Sequence, residues 1–166
     1  MKKILILGIG NILLKDEGAG VHLINYLKEN YRFPANVTLL DGGSLGMRLI
    51  PWIEGSDILI IADTFAGNGS PGTIYRYEYE QLRGKICVKN SLHQTTFLET
   101  LAAADLMGVL PARIIFHGIQ PDDITPWGIE MTPVLEKAFP EFTRAVVDEI
   151  AGFTGSAVEY CGPSKR

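Results

Sequence analysis

Glu17, Asp63 and His93 are the residues of this chain whose types could together bind a divalent cation. Two carboxylates and one imidazole form a facial donor set that suits a borderline metal ion and leaves coordination positions open. The three are far apart in sequence, so spacing alone is not diagnostic. The fold must bring them together. Taken singly, each has a plain structural reading. Asp16 and Glu17 suit the capping of a helix and its dipole. Asp63 suits a turn or an N-cap. His93 suits a surface or capping position.

Other chemistry is less well supported. Gly8-x-Gly10 opens like a dinucleotide fingerprint, and Asp41 sits where such folds place a ribose-binding acid. However, the third glycine is replaced by Leu13, and Asp16 and Glu17 would repel a pyrophosphate at the helix start. His22 lies about 140° further round a helix than Glu17, too far to share a ligand with it. His117 falls within an apolar strand and reads as a core or edge histidine. Cys87 and Cys161 read as structural or incidental. No GxSxG elbow, HExxH helix or Walker loop is present.

The elements that must position these residues alternate between strand and helix. Lys3–Leu7, Asn36–Leu40, Asp57–Ala62 and Arg113–His117 read as strands, the apolar runs being of the kind covered on both faces. Helices are expected from about Glu17 to Asn30, over Leu45–Glu54 despite Pro51, and from Thr95 to Met107. A long one should open on Thr132-Pro133 and run to about Ile150. Thr73–Tyr79 alternates polar and apolar residues, as an exposed or edge strand does. The expected fold is an α/β three-layer sandwich. Its sheet is mostly parallel and twisted, with helices on both faces and one antiparallel edge strand. Ligands of such folds bind beyond the carboxyl ends of the strands. Asp41, Asp63 and the residues after Gly8 all belong there.

Composition narrows the class further. The 166 residues are 46% hydrophobic, which excludes a disordered chain. They are expected to form one catalytic domain, with 152–166 unassigned. A net charge of −4 argues against a nucleic-acid binder. Residues 4–14 are apolar but too short to span a bilayer. Two cysteines without a disulfide framework fit a cytoplasmic protein.

The motifs Gly8-x-Gly10-Asn11-x-Leu13-x-x-Asp16-Glu17-Gly18-x-Gly20-Val21, Asp41-Gly42-Gly43-Ser44-x-Gly46, Ile60-Ile61-Ala62-Asp63, Ser91-x-His93-Gln94 and Gly118-Ile119-Gln120-Pro121 occur in that order. In this combination the chain resembles the nickel–iron hydrogenase maturation endopeptidases from residue 3 to about 150. Ser44 stands where that family often has Thr. The resemblance implies a twisted sheet between helices. It also implies removal of a C-terminal extension from the hydrogenase large-subunit precursor after nickel insertion. The family's metal positions carry over to Glu17, Asp63 and His93, with Asp41 on the same edge as a fourth catalytic candidate. The nickel is then supplied by the substrate, and a surrogate divalent ion such as zinc or cadmium suits the same positions. The partner implied is the nickel-loaded precursor, with no nucleic acid and no membrane. The alternative is a non-catalytic metal- or nucleotide-binding protein on a flavodoxin-like scaffold.

Three further expectations follow. His93 must be neutral to ligate, so metal binding should weaken as pH falls through about 6.5. Gly42-Gly43, Gly67-Asn68-Gly69 and Trp127-Gly128 should flank the site as mobile or closely approachable backbone. Asp16 should matter less than its neighbours, Asn serving nearly as well at a helix cap.

Overall fold

The computed structural model describes residues 1–83, 92–125, 127–155 and 158–162, without the side chains of Arg83 and of residues 92–96. Strands β1 (Ile4–Ile9) and β4 (Ile58–Thr64) are buried along their whole length. Their unbroken apolar runs put side chains on both faces of a covered sheet. The sheet has five strands in the order β3-β1-β4-β6-β5. Here β2 is Tyr31–Arg32, β3 is Val37–Gly43, β5 is Ile74–Glu78 and β6 is Arg113–Ile119. β3, β1, β4 and β6 run parallel, and β5 is an antiparallel edge on β6.

Alternate residues of each central strand feed two cores. Ile4, Ile6, Ile58, Ile60 and Ile115 pack under α1 (Ala19–Asn30) and, late in the chain, Leu135, Phe142, Val146 and Ile150 of another helix. Leu5, Leu7, Leu59, Ile61 and Phe116 pack on the opposite side. That side is covered by the 3₁₀ turn Gly46–Leu49, α2 (Ile50–Glu54), α3 (Tyr79–Arg83) and α4 (Leu92–Leu106). The first layer is completed by α5 (Pro133–Thr154). The Thr132 hydroxyl accepts from the Leu135 N–H at 3.5 Å, with Pro133 in the first turn, as the sequence implied.

Several boundaries move in ways that matter for the site. β4 continues through Asp63 and Thr64 because the parallel ladder to Gly118 and Ile119 continues. Asp63 is therefore a strand residue and not a turn former. β3 likewise absorbs Asp41, Gly42 and Gly43. The helix expected from Glu17 begins only at Ala19, and Glu17 lies in a 3₁₀ turn, Lys15–Gly18. α4 starts at Leu92, so His93 stands in its first turn and not ahead of it. α5 runs past Ile150 to Thr154 and ends at Gly155 in the left-handed region. The unassigned tail contributes β7 (Glu159–Tyr160), paired antiparallel with β2. Cys87 lies outside the described residues.

α1 meets the sheet at unusually short range. A Cβ on Gly20 would run into the carbonyl oxygens of Ala62 and Ile9, and one on Gly8 into the carbonyl of Gly20. Alanine normally favours a helix over glycine by about 1 kcal/mol. At this contact the sign should reverse. Gly20→Ala should destabilise the protein by about 2–3 kcal/mol, the usual size of an overpacking cost, measured by urea or thermal unfolding.

Candidate metal centre

The turn that carries Glu17 is shaped by one glycine. Gly10 has φ +134°, and a Cβ there would collide with the Glu17 carbonyl. The chain leaving β1 can therefore fold back flat against Lys15–Gly18. This brings Glu17 to the carboxyl edge of β1, beside the end of β4, where Asp63 sits. Both carboxylates are buried, Glu17 at 6% and Asp63 at 3% exposure. These two acids belong to the buried end of the sheet.

Burial pushes the Asp63 carboxyl well above its ordinary range. The Thr64 N–H, which donates to Asp63 Oδ1 at 2.7 Å, opposes that shift, and the nearby Glu17 carboxylate adds to it. Two buried acids that disfavour each other's charge form a place where a cation is welcome. By strand alternation Asp63 shares its face with Leu59 and Ile61, the face that α4 covers. α4 packs on the Gly46–Leu49 turn that follows β3. His93 is in the first turn of this helix, and its side chain lies outside the described ones. Among the described residues, no three His, Cys, Asp or Glu side chains gather as a metal site. The donor set that fits a cation is thus the Glu17–Asp63 pair, with His93 as the candidate third ligand. Asp41 differs from the buried pair in exposure. It is exposed on β3, opposite Gly8, with its carboxylate beside Gly43.

Asp16 overturns the capping expectation. The N-cap of α1 is Gly18, and no side chain caps that helix. The fully buried Asp16 carboxylate instead accepts four hydrogen bonds from residues more than a hundred positions away. Asp122 N–H and Asp123 N–H reach Oδ2 at 2.9 and 3.0 Å. Thr132 N–H reaches Oδ1 at 2.7 Å, and the Thr132 hydroxyl reaches Oδ2 at 3.0 Å. Gln120 is a second residue whose role the sequence did not show. Its Oε1 accepts from Gly67 N–H at 2.7 Å, and the Tyr75 hydroxyl holds Gly69 N–H at 2.8 Å. Two hydrogen bonds tie the Gly67-Asn68-Gly69 segment down, against the mobile half of the expectation of mobile or closely approachable backbone. The remaining histidines lie elsewhere. His117 is buried, with Nε2 3.1 Å from Glu149 on α5, as a core histidine should be. His22 is partly buried on α1. Cys161 is an exposed free thiol.

Two expectations follow from this geometry. Because the folded Asp63 carboxyl is raised, its stabilising protonated form is fully present below about pH 3.9 and is lost as pH rises through the folded value. Metal-free Asp63→Asn should therefore be more stable than the parent at pH 8, by on the order of 1 kcal/mol. The difference should shrink as pH falls, as thermal unfolding across pH will show. Asp16→Asn keeps one acceptor oxygen and places an NH₂ against N–H donors. It should cost about 2–4 kcal/mol in urea unfolding, not the small loss of a capping exchange.

Comparison with known proteins identifies the family and the fold. Residues 21–149 match the family HycI, hydrogenase maturation protease. The hydrogenase expression/formation protein HupD of Bradyrhizobium diazoefficiens is 42% identical over 132 residues, covering 79% of this chain and 69% of that protein. The hydrogenase 2 maturation protease of Escherichia coli is 36% identical over 135 residues, covering 81% and 82% respectively. The structure of the hydrogenase maturating endopeptidase HybD from E. coli superposes with a TM-score of 0.88 at 32% identity, covering 96% of this chain and 98% of that one. With the family match spanning most of the chain and the same three-layer fold throughout, this protein belongs to the hydrogenase maturation protease family.

Proposed function

We propose that this endopeptidase removes the C-terminal extension of a nickel–iron hydrogenase large-subunit precursor once nickel has been inserted. In this reading Glu17, Asp63 and His93 receive the substrate's nickel. The observation that supports it most is the buried Glu17–Asp63 pair. Two carboxylates held together at the end of a sheet leave an unfavourable charge that a cation relieves. Three protein donors would leave positions for the precursor's own ligands, so the metal arrives with the substrate and marks it as ready. A zinc or cadmium ion would serve as a surrogate in the absence of precursor. Asp41, exposed beside Gly43, lines the approach and does not ligate. No helix among the described residues is long and apolar enough to cross a membrane. The working compartment in this reading is the cytoplasm.

Intact-mass measurement on nickel-loaded and nickel-free precursor tests the proposal. Only the loaded form should lose its extension, and ordinary peptides should remain uncut. Glu17→Gln keeps size and removes charge. It should lower the processing rate at least about 100-fold, since loss even of a group supporting a metal ligand costs 10–100-fold. Equal processing of loaded and nickel-free precursor, or a Glu17→Gln variant of undiminished rate, would overturn the assignment.

A further inference from the structure

Beside the buried carboxylates the chain exposes large apolar side chains on two loops that are locked to each other. In the loop after β1, Ile12 and Leu13 are 41% and 47% exposed. In the loop before α5, Trp127 and Ile129 are 79% and 64% exposed. The backbone between them is paired as a short parallel bridge. Lys15 N–H donates to Gly128 O at 2.7 Å, and Gly128 N–H donates to Leu13 O at 2.9 Å. The Asp16 carboxylate holds the far part of the second loop at Asp122, Asp123 and Thr132. Lys15 Nζ adds an ion pair with Asp123 at 3.6 Å, and Lys15 is the one described non-glycine residue with positive φ, 48°.

Exposed indole and branched aliphatic side chains on a rigid backbone are the make-up of a protein-binding hot spot, in which little ordering entropy remains to be lost. We infer that the paired loops 11–15 and 127–129 are the docking platform for the folded body of the protein substrate. The inference rests on the function proposed above. The occupant follows from continuity: Leu13 and Glu17 lie on one arch, four residues and so at most about 14 Å apart, and a body whose C-terminal tail reaches Glu17 and Asp63 comes within reach of these loops. A second copy of this chain seated here would cover that route. An anionic membrane surface is disfavoured by Asp122, Asp123 and Glu130 in the same loop. The platform contributes binding that is equal in ground and transition states, so it should act on KM and not on kcat.

The test is steady-state processing of nickel-loaded precursor by the Leu13→Ser/Trp127→Ser double variant, with Leu106→Ser at an exposed position on α4 as control. The double variant should raise KM about tenfold or more and leave kcat within about twofold. Its unfolding midpoint should match the parent's, and the control should behave as the parent in every respect. An unchanged KM in an active preparation overturns the platform and leaves the proposed function standing. So does a loss confined to kcat, or a parent dimer, seen by sedimentation, that the double variant abolishes without raising KM. A parent enzyme that processes no precursor, loaded or not, overturns both.

Discussion

The site depends on how closely α1 and the turn before it approach the sheet. Three glycines permit that approach. Gly8 and Gly20 face each other where a Cβ on either would strike backbone, and Gly10 turns the chain back against the carbonyl of Glu17. These are backbone-to-backbone contacts, so a neighbouring side chain cannot move aside to accommodate a larger residue. The spacing of glycines in the first motif is thus a statement about distance. It draws the acid-bearing turn down onto the ends of β1 and β4, and the opposition of Glu17 and Asp63 follows from it.

That opposition carries a cost in the metal-free protein. Burying Asp63 near Glu17 raises the free energy of its charged form, and the hydrogen bonds from the Thr64 N–H and hydroxyl offset only part of the penalty. Proteins tolerate such a pairing where function uses it. The surroundings are correspondingly firm. Asp16 ties the Glu17 turn to the loop before α5, and Gln120 ties the loop after β4 to the end of β6. The turn that carries Glu17 and the loop that follows Asp63 are thus both tied to elements from the last third of the chain.

Much of this was legible in the residue order. The apolar runs of β1, β4 and β6 marked covered parallel strands, and the alternation of Thr73–Tyr79 marked the antiparallel edge. Thr132-Pro133 marked the start of α5 because a cap is a local interaction. Asp63 and Glu17 could be gathered as candidates because both fall where strands end. The role of Asp16 could not be read this way. Its partners are more than a hundred residues distant, and an acid before a helix is locally indistinguishable from a cap. The length of β4 depends on a ladder to Gly118 and Ile119, and the β2–β7 pair joins two residues near position 31 to two near 160. Neither leaves a periodic signal. His93 was visible as a candidate by type, and its placement in the first turn of α4 came from the fold.

In the function proposed above, the glycine-packed arch and β4 hold two carboxylates to receive one cation. Anomalous diffraction from crystals soaked with zinc tests it most directly. One strong peak is expected between Glu17 and Asp63, with carboxylate oxygens from both at about 2.0–2.2 Å and His93 as the nitrogen ligand. Zinc bound elsewhere on the protein, with the Glu17 and Asp63 carboxylates unligated, would contradict it.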